Sequence, residues 1–205
     1  AAKLASAPLS KALKKLDLIE SSIDDSINIG ILNSSKTLIQ SVDGFPSLIS
    51  DPWLNGRLLA FHSCSDIWAC GGSVISAQAV VDLPSLPNDL QKELLFQVLE
   101  GINSALTVQG AKLIGGHTLE SRKTSEEPFS LSIESSLTVN GVIDDKQSFW
   151  HKGGIKKGDQ LLISRPLGTG VIFSAFMNGY VRPYILDAVL KEMNKSQHEI
   201  VNYIN

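Results

Sequence analysis

The spacing of apolar side chains predicts a chain in which helices alternate with strands. Apolar residues recur every three to four positions over residues 9–16, 54–68 and 90–106, and this period is typical of amphipathic helices. Elsewhere, short apolar or alternating runs rich in β-branched residues predict strands. These predicted strands cover residues 27–32, 36–42, 73–83, 111–118 and 129–139. The first two are separated only by a polar triplet, which predicts a hairpin.

Cap and turn residues predict where these elements begin and end. Asp51 before Pro52 predicts a helix start with an aspartate N-cap and a proline in the first turn. Gly71-Gly72 predicts the end of that helix, and Asn88 is expected to cap the next one. Asn140-Gly141 predicts a turn that closes the last strand.

Together these elements predict an α/β fold of the α+β type. A mainly antiparallel four-stranded sheet is expected to carry helices on one face, within a first domain of residues 1–148. A second α+β domain is predicted from residue 149, with a strand at the end of "HKGGIKKGDQLLIS" and helices after it. Because about 55 residues are marginal for independent stability, residues 149–205 are expected to be the beginning of a truncated domain.

Composition argues against several classes of protein. The 205 residues are 43% hydrophobic with a net charge of −3, and no lysine- or arginine-rich cluster suggests a nucleic-acid partner. No apolar run reaches the ~18–20 residues of a membrane span, and no secretory signal opens the chain. Cys64 and Cys70 would lie on different faces of one helix, so no disulfide is expected between them. A reducing, cytoplasmic location fits this cysteine usage.

Four features near predicted strand ends are candidates for chemistry: Asp24-Asp25, Asp43, Asp66 and "GGHT" at residues 115–118. Taken singly, the aspartate pair, Asp43 before a glycine and the paired glycines all suit ordinary turns. Taken together, they favour a magnesium–nucleotide site. Hard Mg²⁺ prefers carboxylates with substrate phosphates, and glycines let backbone N–H groups approach phosphate oxygens. Such a site would lack a Walker A loop, because no G-x-x-x-x-G-K-[ST] occurs.

Asp66 is the most informative of these residues because of its surroundings. It lies in "FHSCSDIWACGG", in the last turn or so of a helix that is apolar on most sides. An unpaired carboxylate is costly to bury, and the helix dipole opposes a negative charge near a helix C-terminus. The structural alternative is a bond from a neighbouring backbone N–H or from Arg57. A bound cation would remove the penalty and favours Asp66 as a metal ligand.

Several motifs, in order and spacing, resemble those of one known family. These are "SSIDDSINI", "LIQSVDGFPSLISDPWLNGRLLAFHSCSDIWACGG", "KLIGGHTLE" and "LLISRPLGTGV". They are similar to selenophosphate synthetase (selenide, water dikinase), which shares its fold with the aminoimidazole ribonucleotide synthetase superfamily. The resemblance covers nearly the whole chain. It is strongest to the form fused behind a flavin-dependent pyridine-nucleotide oxidoreductase, which implies such a domain upstream.

The resemblance implies an activity and its site residues. The family converts ATP, selenide and water to selenophosphate, orthophosphate and AMP, with aspartates holding Mg²⁺ at the ATP phosphates. By position, Asp25 and Asp66 are the implied Mg²⁺ ligands and Lys3 the implied catalytic residue. The implied ATP-site residues are Lys3, Ser22, Ile23, Asp24, Asp43, Asp66, Gly115, Gly116 and His117. Residues 115–117 resemble the segment that reaches ATP across a homodimer, in which two sheets pair into a barrel.

Two departures from the family pattern leave alternatives open. The family's cysteine three residues before the essential lysine would lie just before Ala1, and a further metal-binding aspartate would follow residue 205. The chain is therefore expected to be a fragment that does not turn over alone. Alternatives are another kinase or synthetase of the superfamily with a different small acceptor, or a non-catalytic nucleotide-binding or dimerising module attached to a redox domain.

Overall fold

The computed structural model describes residues 26–33, 35–121, 133–144 and 149–204. Its strands are β1 (Ile27–Asn33), β2 (Lys36–Pro46), β3 (Ser73–Leu83), β4 (Lys112–Glu120) and β5 (Glu134–Asp144). Its helices are α1 (Pro52–Ala69), α2 (Asn88–Thr107), α3 (Thr169–Met177), α4 (Pro183–Met193) and α5 (His198–Ile204). The helix predicted at residues 9–16 lies outside the described residues.

The described strands form one sheet in the order β1-β2-β5-β3-β4. Three neighbouring pairs are antiparallel, and only β3 and β4 run parallel. The predicted α+β class and mainly antiparallel sheet are confirmed, as is the β1–β2 hairpin. The predicted strand number was wrong, because this sheet has five strands rather than four.

Helices α1 and α2 cover one face of the sheet and form the core with it. Alternate residues of the three central strands point into this layer, and Ile39, Leu137 and Val81 are fully buried there. Ile67 of α1 and Ile102 of α2 meet them from the helical side and are equally buried. The opposite face of the sheet is uncovered among the described residues. No described helix is both long and apolar enough to cross a bilayer.

The ends of α1 are as the sequence predicts. Asp51 is the N-cap, and its carboxylate accepts a hydrogen bond from the Leu54 backbone N–H at 2.9 Å. At the other end Gly71 adopts φ +80°, and the Gly72 N–H reaches back to the Ile67 carbonyl. Helix α2 differs from the prediction, because Pro87 occupies its N-cap position and no side chain caps it.

Asn140 and Gly141 do not form the predicted turn. They lie inside β5, where Gly141 pairs with Ile39 of β2 and Val74 of β3. A Cβ at Gly141 would stand 2.4 Å from the Ile67 side chain, so the glycine makes room for α1 rather than for a reversal of the chain. The prediction failed because a buried neighbour, not local turn chemistry, requires glycine there.

The C-terminal segment contacts α1 at the end of that helix and through α5. The Trp150 N–H donates to the Cys70 carbonyl at 3.1 Å, and Val201 of α5 joins the buried core. The helices predicted after residue 170 are confirmed. The strand predicted at "LLIS" was wrong: residues 161–163 are exposed and have no ladder partner among the described residues. The boundary at residue 149 stays a prediction.

Candidate functional site

The predicted site residues that the structure brings together lie where α1 crosses β2. On the strand, Ser41 and Asp43 are two residues apart and point to the helical side. On the helix, His62 and Asp66 are four residues apart and share one face. Two strand residues span about 6.7 Å and four helical residues rise about 6 Å, so the two pairs align. The result is two cross-links, Ser41 with Asp66 and Asp43 with His62.

Asp66 accepts a hydrogen bond across this interface. The Ser41 hydroxyl donates to Asp66 Oδ2 at 2.7 Å, and Ser41 itself is buried. Asp66 is half-buried in the last turn of α1, a turn that contains no basic residue to offset its charge. The helix dipole therefore opposes this carboxylate at its end of the helix. Such a carboxylate suits a cation.

Asp43 is held more tightly than a turn residue would be. The structure places it inside β2 opposite Leu137, so the turn interpretation was wrong. His62 Nε2 lies 2.9 Å from Asp43 Oδ2, and the Gly44 N–H donates to Oδ1 at 2.8 Å. Only 10% of the Asp43 side chain is exposed. Its carboxylate therefore has a fixed direction.

Arg57 and Cys64 lie on the same helix but serve the fold. Arg57 donates to Ser104 at 2.8 Å and to Asn194 at 2.5 Å, and it stacks over Phe61. Arg57 is thus not the partner considered for Asp66. Burial raises the pKa of the Cys64 thiol to about 12, and the negative charge of Asp66 adds to this rise. Cys64 is therefore a neutral thiol and a poor nucleophile.

The glycine segment at residues 115–117 lies apart from the two aspartates. It is part of the edge strand β4 rather than the predicted turn, with φ +152° at Gly115 and +157° at Gly116. Asp43, Leu137, Ala79 and Gly116 form one row across four strands. Three strand spacings separate the ends of that row, or about 14 Å. The exposed glycines therefore do not converge with Asp43 within one chain.

The other predicted site residues belong to the N-terminal part of the chain. Lys3, Ser22, Ile23, Asp24 and Asp25 all lie outside the described residues. Within the part of the chain that is described, no group of three or more His, Cys, Asp or Glu side chains is arranged to hold a metal ion. Two carboxylates, Asp43 and Asp66, lie at this crossing, and proteins bind Mg²⁺ with one or two carboxylates, substrate phosphates and water.

Two residues of the interface were missed by sequence reasoning. Ser41 stands two positions before Asp43, and His62 stands four before Asp66. These are the spacings at which side chains share a face of a strand and of a helix. Both spacings can be read from the sequence, but they indicate a contact only once α1 is known to cross β2.

The family of the chain follows from comparison with known proteins. Residues 24–142, more than half of the chain, match the family "AIR synthase related protein, N-terminal domain". The chain therefore belongs to the AIR synthase related family. This agrees with the α+β fold and with the resemblance found in the sequence.

Curated relatives of the chain include proteins named selenide, water dikinase. The chain is 33% identical over 162 residues to "Selenide, water dikinase" of Clostridioides difficile, covering 79% of this chain and 43% of that protein. It is 30% identical over 203 residues to the protein of the same name from Pelobacter propionicus, covering 94% of this chain and 54% of that one. The chain thus spans about half the length of the curated relatives it matches.

Solved structures confirm the fold. "AaThiL complexed with AMPPCP and TMP" superposes with a TM-score of 0.74 at 19% identity, covering 100% of this chain and 64% of that one. Thiamine monophosphate kinase from Aquifex aeolicus gives a TM-score of 0.71 at 20% identity, covering 99% of this chain and 65% of that one. At this identity the likeness concerns the fold alone.

Proposed function

We propose that this chain is the magnesium- and ATP-binding part of a selenophosphate synthetase. The observation that supports it best is the pairing of Asp43 and Asp66 with donors from the opposite element at one helix–strand crossing. Relatives named selenide, water dikinase at 30–33% identity support the choice within the family. Charge neutralisation and positioning, rather than protein nucleophiles, are what phosphoryl transfer requires.

The proposed roles follow the sequence motifs. Asp66 and Asp25 would hold Mg²⁺, with Asp43 beside them at the phosphates and residues 22–24 lining the ATP site. Bound Mg²⁺ would neutralise phosphate charge. Lys3 is proposed as the catalytic residue, a cationic group for the transferred phosphoryl. Selenide is proposed as the acceptor of the phosphoryl group. The protein is proposed to act in the cytoplasm and to have a flavoprotein domain upstream of this chain.

The reaction itself is tested by phosphorus NMR of the protein purified from its complete gene, supplied with Mg-ATP and selenide. We expect AMP, orthophosphate and a selenium-bound phosphate to appear together. Production of ADP with another phosphorylated acceptor would instead favour a different kinase of the superfamily. Binding of ATP without any turnover would favour the non-catalytic module.

We further propose a homodimer through the uncovered face of the sheet. Val42, Val80 and Ile114 expose 68%, 40% and 57% of their surface there, on three different strands. An apolar sheet face exposed to water favours association. Pairing two sheets into a barrel would also bring a partner's glycine segment toward Asp43, which its own chain leaves about 14 Å away.

The dimer predicts a specific mutational effect. Light scattering at micromolar concentration should give twice the chain mass for the wild type and a monomer for Val42→Lys, because a buried lysine without a partner is costly. Val171→Lys is the matched control, since Val171 is 73% exposed on α3, away from the sheet. A monomeric wild type, or a Val42→Lys variant that still dimerises, would contradict the proposal.

A further inference from the structure

We propose that His62 is a positioning residue of the nucleotide site, which fixes the carboxylate of Asp43 in the direction that the bound magnesium–nucleotide requires. The inference rests on the proposed function, because it assigns Asp43 to the phosphates. It goes beyond that function by adding a residue that neither the sequence motifs nor the fold singles out.

The first argument is the reciprocity of the two cross-links. Ser41 of β2 donates to Asp66 of α1, and His62 of α1 donates to Asp43 of β2. Each element thus supplies one carboxylate and one donor for the carboxylate opposite. A carboxylate held by a donor from another element cannot rotate without breaking a bond. Orientation of a functional group by such a second partner is the usual way in which sites are made precise.

The second argument is that both oxygens of Asp43 are engaged. His62 Nε2 lies 2.9 Å from Oδ2, while the adjacent Gly44 N–H donates to Oδ1 at 2.8 Å. The Gly44 contact is local to the strand and would persist in any variant of His62. His62 therefore supplies a long-range contact that ties the direction of Asp43 to α1, the helix that also contains Asp66.

The third argument is that the His62 ring is itself held in place. The Phe45 ring, two residues beyond Asp43 on the same side of β2, meets the imidazole edge to face with centroids 5.5 Å apart and planes at 62°. Although 47% of the His62 side chain is exposed, its ring is thus restrained by a bond at Nε2 and a packing contact. These two contacts fix the orientation of the His62 ring, which a solvated helix face alone would not do.

The test compares Mg-ATP affinities of His62 variants by calorimetric titration of the same chain. His62→Ala should weaken Mg-ATP binding by roughly 10- to 100-fold, the loss typical of an orienting partner. His62→Gln should restore most of the affinity, because its amide nitrogen is as many bonds from Cβ as Nε2 is in histidine. His62→Asn, which is too short, should not. His198→Ala on α5 is the control, since that ring bonds Ser196 instead.

Melting temperatures without ligand separate positioning from stability. We expect His62→Ala and His62→Gln to melt within a few degrees of each other while their affinities differ. If the wild type binds Mg-ATP and His62→Ala binds it equally well, the inference is wrong and the proposed function survives. Equal affinities for the glutamine and asparagine variants would also overturn it. A wild type that does not bind Mg-ATP would instead contradict the proposed function.

Discussion

Replacing Gly101 with alanine should lower the free energy of unfolding by roughly 1–3 kcal/mol, as overpacking of a rigid interface does. A Cβ at Gly101 would stand 1.9 Å from the Trp53 carbonyl oxygen and 3.1 Å from the Arg57 nitrogen, both backbone atoms of α1. A Cβ at Gly56 would likewise meet the Val98 carbonyl oxygen at 2.2 Å. Helices α1 and α2 would have to separate, because backbone atoms cannot rotate away as a side chain does.

Helix propensity alone predicts that Gly101→Ala stabilises the protein. A loss of stability would therefore point to the close contact between the two helices. Alanine is favoured over glycine in a helix interior by about 1 kcal/mol. Gly170 in α3 is the matched control, because nothing lies within 4 Å of a Cβ placed there. Urea unfolding should show Gly170→Ala equal to or more stable than wild type, and Gly101→Ala less stable. A Gly101→Ala protein as stable as the wild type would contradict the close helix contact.

The parts of the fold that the sequence predicted depend on neighbours close in the chain. The start of α1 follows from Asp51, whose side chain bonds a residue three positions away, and its end follows from Gly71-Gly72. Amphipathic spacing predicted α2 for the same reason, since one helical face is a local property. Local signals therefore located α1, the helix that contains Asp66, and α2, which packs beside it.

The parts that the sequence did not predict depend on distant contacts. Asn140-Gly141 has turn chemistry, yet Ile67 and the strand partners of Gly141 keep it extended. Asp43 before Gly44 also suited a turn, but pairing with β5 keeps the chain in β2. No local signal indicates which face of α1 crosses which strand, and so His62 could not be recognised as the partner of Asp43.

Replacing Asp66 with asparagine should abolish the rise in melting temperature that Mg-ATP gives the wild type. Ligand at a hundredfold its dissociation constant stabilises a folded chain by about 2.7 kcal/mol. Asparagine keeps an oxygen that can accept the Ser41 hydroxyl, so the contact within the fold is preserved. It removes the negative charge that Mg²⁺ requires. Without ligand, the variant should remain folded, because the helix dipole opposes that charge in the first place.

Ser41→Ala is the matched control for this experiment. It removes the 2.7 Å hydrogen bond to Asp66 while leaving the carboxylate. Its ligand-free melting temperature should fall, since a net hydrogen bond contributes about 1 kcal/mol. Its rise with Mg-ATP should be smaller than that of the wild type but still present, because the carboxylate stays while the donor that orients it is lost. Asp66→Ala, which removes both the charge and the bond, should combine the two losses.

The binding of Mg-ATP at Asp66 is tested most directly by thermal melts of wild type, Asp66→Asn and Ser41→Ala, each with Mg-ATP, with ATP and EDTA, and without ligand. We predict a rise in melting temperature for the wild type and Ser41→Ala that requires Mg²⁺, and none for Asp66→Asn. An equal rise in all three proteins would show that Asp66 is a structural carboxylate at a helix end, and that the chain binds nucleotide elsewhere.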